Sequence, residues 1–177
     1  MRERYKLLII CCFLFSCKSK RLPLSQLMQQ KESGLVQEKF VGNTSIRLTY
    51  LPLGWEKLTA SESADEDQTA MAFRISVFRG SQDAELTSEI EKKASYGVDT
   101  LFQLILNHDT LQPLSAERIA NGNIGGITYL VTFERRSMTP VEQAAFVYKD
   151  WLFTNTRLIF PLRKETILIA DSLSHRL

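Results

Sequence analysis

The chain lacks cysteine beyond position 17, and this absence restricts both its covalent and its metal chemistry. All three cysteines, Cys11, Cys12 and Cys17, lie within the first 17 residues. A domain formed by the later residues therefore has no internal disulfide and no thiolate cluster for zinc. Such a domain must be stabilised by its hydrophobic core, and roughly 140 residues are enough to form one.

Histidine is also scarce, since His108 and His175 are the only two in the chain. No H-E-x-x-H or C-x-x-C zinc motif, no G-x-S-x-G nucleophile motif and no G-x-x-x-x-G-K-[ST] phosphate loop occurs. His108 and Asp109 could form an acid–base pair, but a histidine at a helix end is the simpler interpretation. The acidic run over residues 62–67 lacks the spacing of a calcium loop. We therefore expect no enzymatic activity, no cofactor and no metal site.

The chain contains no apolar run of the roughly 20 residues that a transmembrane helix needs. Residues 7–15 are nine consecutive apolar residues, and they follow Arg2, Arg4 and Lys6. A basic start before a short apolar run is typical of a secretory signal peptide. We therefore predict export, with residues 1–16 as the signal peptide.

Without the predicted signal peptide, the remaining chain has no excess of positive charge. The chain has 22 basic and 20 acidic residues, of which three basic and one acidic lie in residues 1–16, so 19 of each remain. A balanced charge gives no indication of nucleic-acid binding. We therefore expect no nucleic-acid partner.

The end of the apolar run carries a recognisable motif. Leu14-Phe15-Ser16-Cys17 resembles the lipobox of bacterial lipoproteins, although Phe15 departs from the small or modest residue usual at its position. The resemblance implies cleavage between Ser16 and Cys17 and a diacylglycerol on the Cys17 sulfur, which would anchor the chain to a membrane of the cell envelope. Lys18 is not aspartate, and by the same resemblance this favours the outer membrane, with the protein facing the periplasm or the cell surface.

The remaining chain divides into a tether and one domain. Residues 17–35 are predicted to be the lipidated cysteine and its tether, since they include Pro23 and few large side chains. Residues 36–177 contain the periodic segments and are predicted to form a single domain. Alternating apolar residues and turn dipeptides predict strands over residues 36–41, 45–50, 71–78, 114–120, 124–135, 141–148 and 152–160.

Two helices are predicted in the same domain. Apolar residues at spacings of three and four predict a long central helix over Asp83–His108, with the stripe Leu86, Ile90, Ala94, Gly97, Leu101 and Leu104. A second helix fits Lys164–Leu177. Runs of strands between helices favour an α+β fold, with a mostly antiparallel sheet on which both helices lie.

The segment Leu51-Pro52-Leu53-Gly54-Trp55 resembles the P-x-G-W sequence that opens PsbP/Mog1-like domains. Residues 125–133, Gly-Gly-Ile-Thr-Tyr-Leu-Val-Thr-Phe, resemble a long strand of the same domains. The resemblance would cover residues 36–177. It implies a central sheet flanked by helices and no shared enzymatic activity, because members of this group mostly bind or support other proteins.

The function indicated by these features is a non-enzymatic, membrane-anchored envelope lipoprotein that binds or supports a protein partner. Trp55, Tyr148 and Trp151 are the candidate partner surface. Residues 144–153 are apolar on both faces, which favours a buried central strand but leaves a partner surface open. Two alternatives remain at this point: a cell-wall or glycan hydrolase with unrecognised carboxylates, and a small-ligand-binding module.

Overall fold

The computed structural model describes residues 23–54, 70–80, 94–119 and 126–174. Within these ranges lie two α-helices, α1 (Leu24–Gln29) and α2 (Lys164–Ser174). The strands are β1 Val36–Val41, β2 Thr44–Leu51, β3 Ala70–Arg79, β4 Phe102–Leu106, β5 Asp109–Leu111, β6 Ser115–Ile119, β7 Gly126–Glu134, β8 Ala144–Asp150 and β9 Thr156–Leu162. Short 3₁₀ turns cover Lys31–Ser33 and Val98–Leu101.

These strands form two antiparallel sheets. The larger sheet has the order β1-β2-β3-β7-β6, and the smaller has the order β5-β4-β8-β9. Every described strand pair is antiparallel. The described fold is therefore mostly antiparallel β-sheet with helices, as the sequence predicted.

The hydrophobic core lies between the two sheets. The ring of Phe73 in β3 lies 5.0 Å from that of Phe146 in β8, and the ring of Phe102 in β4 lies 5.5 Å from that of Tyr129 in β7. Met71, Phe73, Ile75 and Val77 are all buried, which confirms the alternation predicted for β3. Burial of one such side chain contributes about 1.5–3 kcal/mol.

Strand β8 is one of the two interior strands of the smaller sheet. It pairs with β4 on one side and β9 on the other, and Phe146, Val147 and Tyr148 are fully buried. The interpretation of residues 144–153 as a buried central strand is confirmed for residues 144–150 only. The strand ends at Asp150, two residues beyond the predicted end, and a turn covers residues 151–155, where a strand was predicted from residue 152.

The central helix predicted over Asp83–His108 is wrong over its described part. Residues 81–93 lie outside the described residues, but from Ala94 onward the chain forms turns, a 3₁₀ turn and then strand β4. Gly97 has a φ of 66°, a left-handed conformation that a right-handed helix cannot include. Leu101 and Leu104 are buried as predicted, but they are buried from a turn and a strand.

A hairpin takes the place of the predicted helix end. Asn107 has a φ of 55° in the two-residue turn between β4 and β5. Its Oδ1 accepts the N–H groups of Glu142 (2.8 Å) and Gln143 (3.1 Å), and its own N–H donates to the Gln143 carbonyl (2.7 Å). The hairpin is thereby tied to the segment that leads into β8.

Part of the predicted tether is packed against the domain. Leu27 of α1 and Leu35 are buried members of the core, and α1 contacts α2. The Tyr50 N–H donates to the Leu35 carbonyl (2.8 Å), and the Arg163 guanidinium donates to the Glu32 carbonyl. The structure thus differs from the prediction of a tether over residues 17–35, because residues 23–35 contribute to the folded core.

The C-terminal helix was predicted correctly within the described residues. Helix α2 buries Ile167, Ala170, Asp171 and Ser174, which lie on one side of the helix because Ile167 is three and four residues from Ala170 and Asp171, and Ser174 is four and three residues from them. Leu168 and Ile169 lie on its exposed side. Within the described ranges, no helix is long and apolar enough to cross a membrane.

Candidate functional site

Different segments of the chain lie at the two ends of the sheets. At one end lie residues 94–98 and the β8–β9 turn of residues 151–155, which together we call the aromatic end. At the other end lie α1, α2 and the first residues of β1, which we call the helix end. Strand β8 has seven residues and runs from the helix end to the aromatic end, a distance of about 20 Å.

A fully buried carboxylate, that of Asp150, organises the turn at the aromatic end. Its oxygens accept hydrogen bonds from the Tyr148 hydroxyl (3.0 Å), the Phe153 N–H (3.1 Å), the Thr154 N–H (3.1 Å) and the Thr154 hydroxyl (2.7 Å). Bonds to an ionised acceptor are stronger than bonds between neutral groups. The carboxylate therefore fixes the turn in which Trp151 lies.

Tyr148 belongs to the core and not to a surface. It is fully buried, and its ring stacks on that of Phe102 at a centroid distance of 5.3 Å. Burial, the charge of Asp150 and the nearby Tyr129 raise the pKa of the Tyr148 phenol well above its ordinary value. The phenol therefore stays protonated and donates to Asp150, and the assignment of Tyr148 to the candidate partner surface is corrected.

Tyr129 fixes the second segment of the aromatic end. Its hydroxyl donates to the carbonyl of Ala94 (3.1 Å), and Ala94 is itself fully buried. The Arg118 guanidinium donates to the Ser95 hydroxyl (3.4 Å) from the neighbouring strand β6. These bonds hold the short segment that includes Tyr96.

Two large aromatic side chains are exposed at this end. Tyr96 is 81% exposed and Trp151 is 56% exposed. Each follows closely on a residue that is anchored in the core, Ala94 in the first case and Asp150 in the second. The aromatic end thus presents two large aromatic side chains on backbone segments that hydrogen bonds hold in place.

The helix end contains a partly buried ion pair. The Asp171 carboxylate accepts from the Arg135 guanidinium (2.9 Å), the Tyr50 hydroxyl (2.7 Å) and the Leu53 N–H (3.1 Å). Arg135 also donates to the Ala70 carbonyl (3.1 Å). Burial, and next the charge of Asp171, raise the pKa of Tyr50 well above its ordinary value. These groups satisfy one another and attach α2 to the larger sheet.

The predicted acid–base and metal residues do not converge within the described part of the chain. His108 is exposed in the β4–β5 turn, and the Asp109 carboxylate pairs with Arg136 (3.2 Å). Because no helix ends there, His108 is not the helix-end histidine that was predicted. Among the described residues, no group of three or more potential ligands is placed to hold a metal ion. The acidic run of residues 62–67 lies outside the described residues.

The residues predicted for function have different outcomes. Cys17 and Trp55 lie outside the described residues, Tyr148 is buried, and Trp151 is exposed. Tyr96 was missed because it fell inside the predicted central helix. The one signal that could have identified it is Gly97, since a tyrosine directly before a glycine is more typical of a turn than of a helix interior.

No protein-family model matches the chain. No curated protein matches it either. Among solved structures, it is similar to a protein of unknown function from Burkholderia pseudomallei, with a TM-score of 0.41 and 11% identity over 90% of this chain and 97% of that one. A likeness of this extent carries no argument about fold or function.

Proposed function

We propose that the chain is a non-enzymatic lipoprotein of the bacterial cell envelope, anchored through lipid on Cys17, whose domain binds a protein partner at the aromatic end. The anchor is supported by the basic start, the apolar run and the Leu14-Phe15-Ser16-Cys17 motif. The proposal of a protein partner rests on the exposure of Tyr96 and Trp151 at one end of the sheets.

The chemistry of these two side chains suits a protein interface. Tyrosine and tryptophan are enriched at the centres of interfaces, where they bury a large apolar area and keep one polar atom for hydrogen bonding. Asp150 and Tyr129 already hold the two backbone segments. Binding would therefore order little backbone, which lowers the entropic cost of association.

The position of the anchor agrees with this use of the aromatic end. Helix α1 begins at Leu24 and contacts α2, so the chain leaves the domain toward Cys17 from the helix end. The aromatic end then points away from the membrane and into the compartment in which a partner would be found. Lys18 in place of aspartate supports the outer membrane as that membrane.

The finer fold assignment, a PsbP/Mog1-like domain, is also a proposal. It is supported by the turn at Pro52 and Gly54 directly after β2, and by the long strand β7. The two facing sheets depart from the single central sheet that the resemblance implies. An experimental structure with a helix over residues 81–93 lying on a sheet would support the assignment, and one without that helix would contradict it.

The anchor is tested by Cys17→Ser in cells that are fed an alkyne fatty acid. The substitution keeps the size of the side chain but removes the sulfur that would form the thioether. We expect the wild type to be labelled and to enter the detergent phase, and the variant to remain unlabelled. Lys18→Asp is the companion variant, because it leaves the acylated cysteine intact and alters only the sorting residue. Labelling that survives Cys17→Ser would overturn the lipoprotein assignment.

The partner surface is tested by the double variant Tyr96→Ala, Trp151→Ala. Envelope proteins crosslinked in cells to the anchored chain are compared between this variant, the wild type and Leu114→Ala, in which an exposed leucine near the helix end is shortened. We expect a crosslinked band in the wild type and in Leu114→Ala, and its loss in the double variant. A band of equal intensity in all three would show that the aromatic end is not the binding surface.

A further inference from the structure

The outer side of α2 carries apolar side chains that the domain does not cover. Leu168 is 44% exposed and Ile169 is 51% exposed, whereas Ile167 and Ala170 on the inner side are buried. The outer side also includes Glu165 and Ser172, both exposed. The helix therefore packs one apolar side against the core. Leu168 and Ile169 form a second, smaller apolar area on its exposed side.

The length of chain between Cys17 and the domain restricts where this area can lie. Six Cα–Cα steps separate Cys17 from Pro23, which even when fully extended reach about 20 Å. Helix α1 begins one residue later and contacts α2, whose 11 residues span about 16 Å. A lipidated Cys17 therefore keeps α2 close to the membrane surface.

The charged residues near α2 favour contact with an anionic membrane surface. Lys18, Lys20 and Arg21 lie in the connecting segment. Arg163 is exposed just before α2, and Lys164 is half-buried at its first position. Glu165 is the exposed acidic residue of the same helix, since Asp171 is buried and paired with Arg135. The basic side chains are in excess, and basic groups near an anionic bilayer are attracted to it.

We infer that Leu168 and Ile169 contact the lipid surface of the membrane in which Cys17 is anchored, as a second and weaker membrane contact. The inference rests on the proposed lipid anchor. An interfacial helix buries its apolar side about 5–10 Å into the boundary between headgroups and acyl chains. Contact at α2 fixes the rotation of the domain over the membrane and keeps the aromatic end directed away from it.

The test uses the full chain, processed and lipidated in bacteria and reconstituted into vesicles of phosphatidylethanolamine and phosphatidylglycerol. Ile169→Cys introduces the probe site, because the chain has no other cysteine after position 17. An environment-sensitive fluorophore on this thiol reports contact with lipid. The matched control is Phe40→Cys in β1, a position that is 72% exposed and lies near the β1–β2 turn, away from α2.

We expect the fluorescence emission of the probe at position 169 to lie at a shorter wavelength than that of the probe at position 40. We also expect lipids with a quencher near the headgroup to quench the emission at position 169 several-fold more strongly. Equal quenching at both positions, in chains that float with the vesicles, would overturn this inference alone. Protection at position 169 that depends on protein concentration and not on lipid quencher would indicate a second copy and would also overturn it. Absence of lipid on Cys17, measured by mass spectrometry, would overturn both this inference and the proposed anchor.

Discussion

At the residue scale, the described domain contains two buried carboxylates whose hydrogen-bonding capacity is satisfied in different ways. Asp171 is paired with a cation, Arg135, whereas Asp150 accepts hydrogen bonds from neutral hydroxyls and backbone N–H groups. A buried charge is tolerated only when its hydrogen-bonding capacity is satisfied. Each carboxylate therefore fixes the loop or helix that donates to it, and one of those loops carries Trp151.

Tyr148→Phe tests the network around Asp150 through its pH dependence. Burial raises the folded-state pKa of this phenol, so its stabilising contribution is complete below the unfolded pKa of about 10 and is lost as the pH rises above that value. Phenylalanine cannot ionise. We expect the variant to lose about 1–3 kcal/mol at neutral pH, because the Asp150 carboxylate loses a donor, and to show a smaller loss of stability above about pH 10 than the wild type.

The measurement is urea denaturation at a series of pH values from neutral to alkaline. Tyr96→Phe is the matched control, since its side chain is exposed and it has the same change of one hydroxyl. We expect this control to follow the wild type throughout. If the stability of Tyr148→Phe followed that of the wild type above about pH 10, the pKa of the Tyr148 phenol would not be raised by its burial beside Asp150.

At the scale of secondary-structure elements, the segment 94–106 shows where the local spacing of apolar residues is not enough to predict the secondary structure. Apolar residues at spacings of three and four fitted a helix, yet Phe102, Leu104 and Leu106 are buried with the period of a strand. Ile105 between them is also apolar, so the strand period was obscured. What decides the outcome is the pairing of β4 with β8, some 40 residues away along the chain, which no local periodicity contains.

Other elements were predictable because one side of each faces the core and the other faces solvent. Strand β3 alternates buried residues with Arg74 and Ser76, and α2 has a single buried stripe. Of the candidate site, Trp151 could be predicted as an aromatic residue at a strand end. The inward direction of Tyr148 could not, because both sides of β8 are apolar.

Phe102→Ala tests the assignment of β4 as a strand. Phe102 is fully buried against Tyr129 and Tyr148, although the predicted helical stripe omits it. We expect the variant to lose about 3–5 kcal/mol in the free energy of unfolding, as is usual for a buried phenylalanine. Gln103→Ala, on the opposite side of the strand, should change it by only about 0.5 kcal/mol. Urea denaturation of both variants gives the comparison, and a helical arrangement would show no such contrast.

At the scale of the whole molecule, the segment that precedes β1 connects the proposed anchor to the core. Leu27 and Leu35 are buried, and the backbone of Leu35 and Glu32 bonds to Tyr50 and Arg163. The chain thus enters the domain at a fixed place. This matters for the proposed function, since a fixed entry at the helix end is what directs the aromatic end away from the membrane.

Truncation tests this arrangement. A chain that starts at residue 36 lacks Leu27 and Leu35, each of which contributes about 1.5–3 kcal/mol by burial. Against a total stability of about 5–15 kcal/mol for a domain, we expect this chain to unfold at a clearly lower temperature than one that starts at Pro23. The double variant Leu27→Ala, Leu35→Ala in the longer chain should reproduce most of the loss without removing backbone. Equal thermal transitions for the two chain lengths would mean that residues 23–35 are a free tether. The domain could then rotate on its anchor, and neither the outward direction of Trp151 nor the membrane contact of α2 would follow.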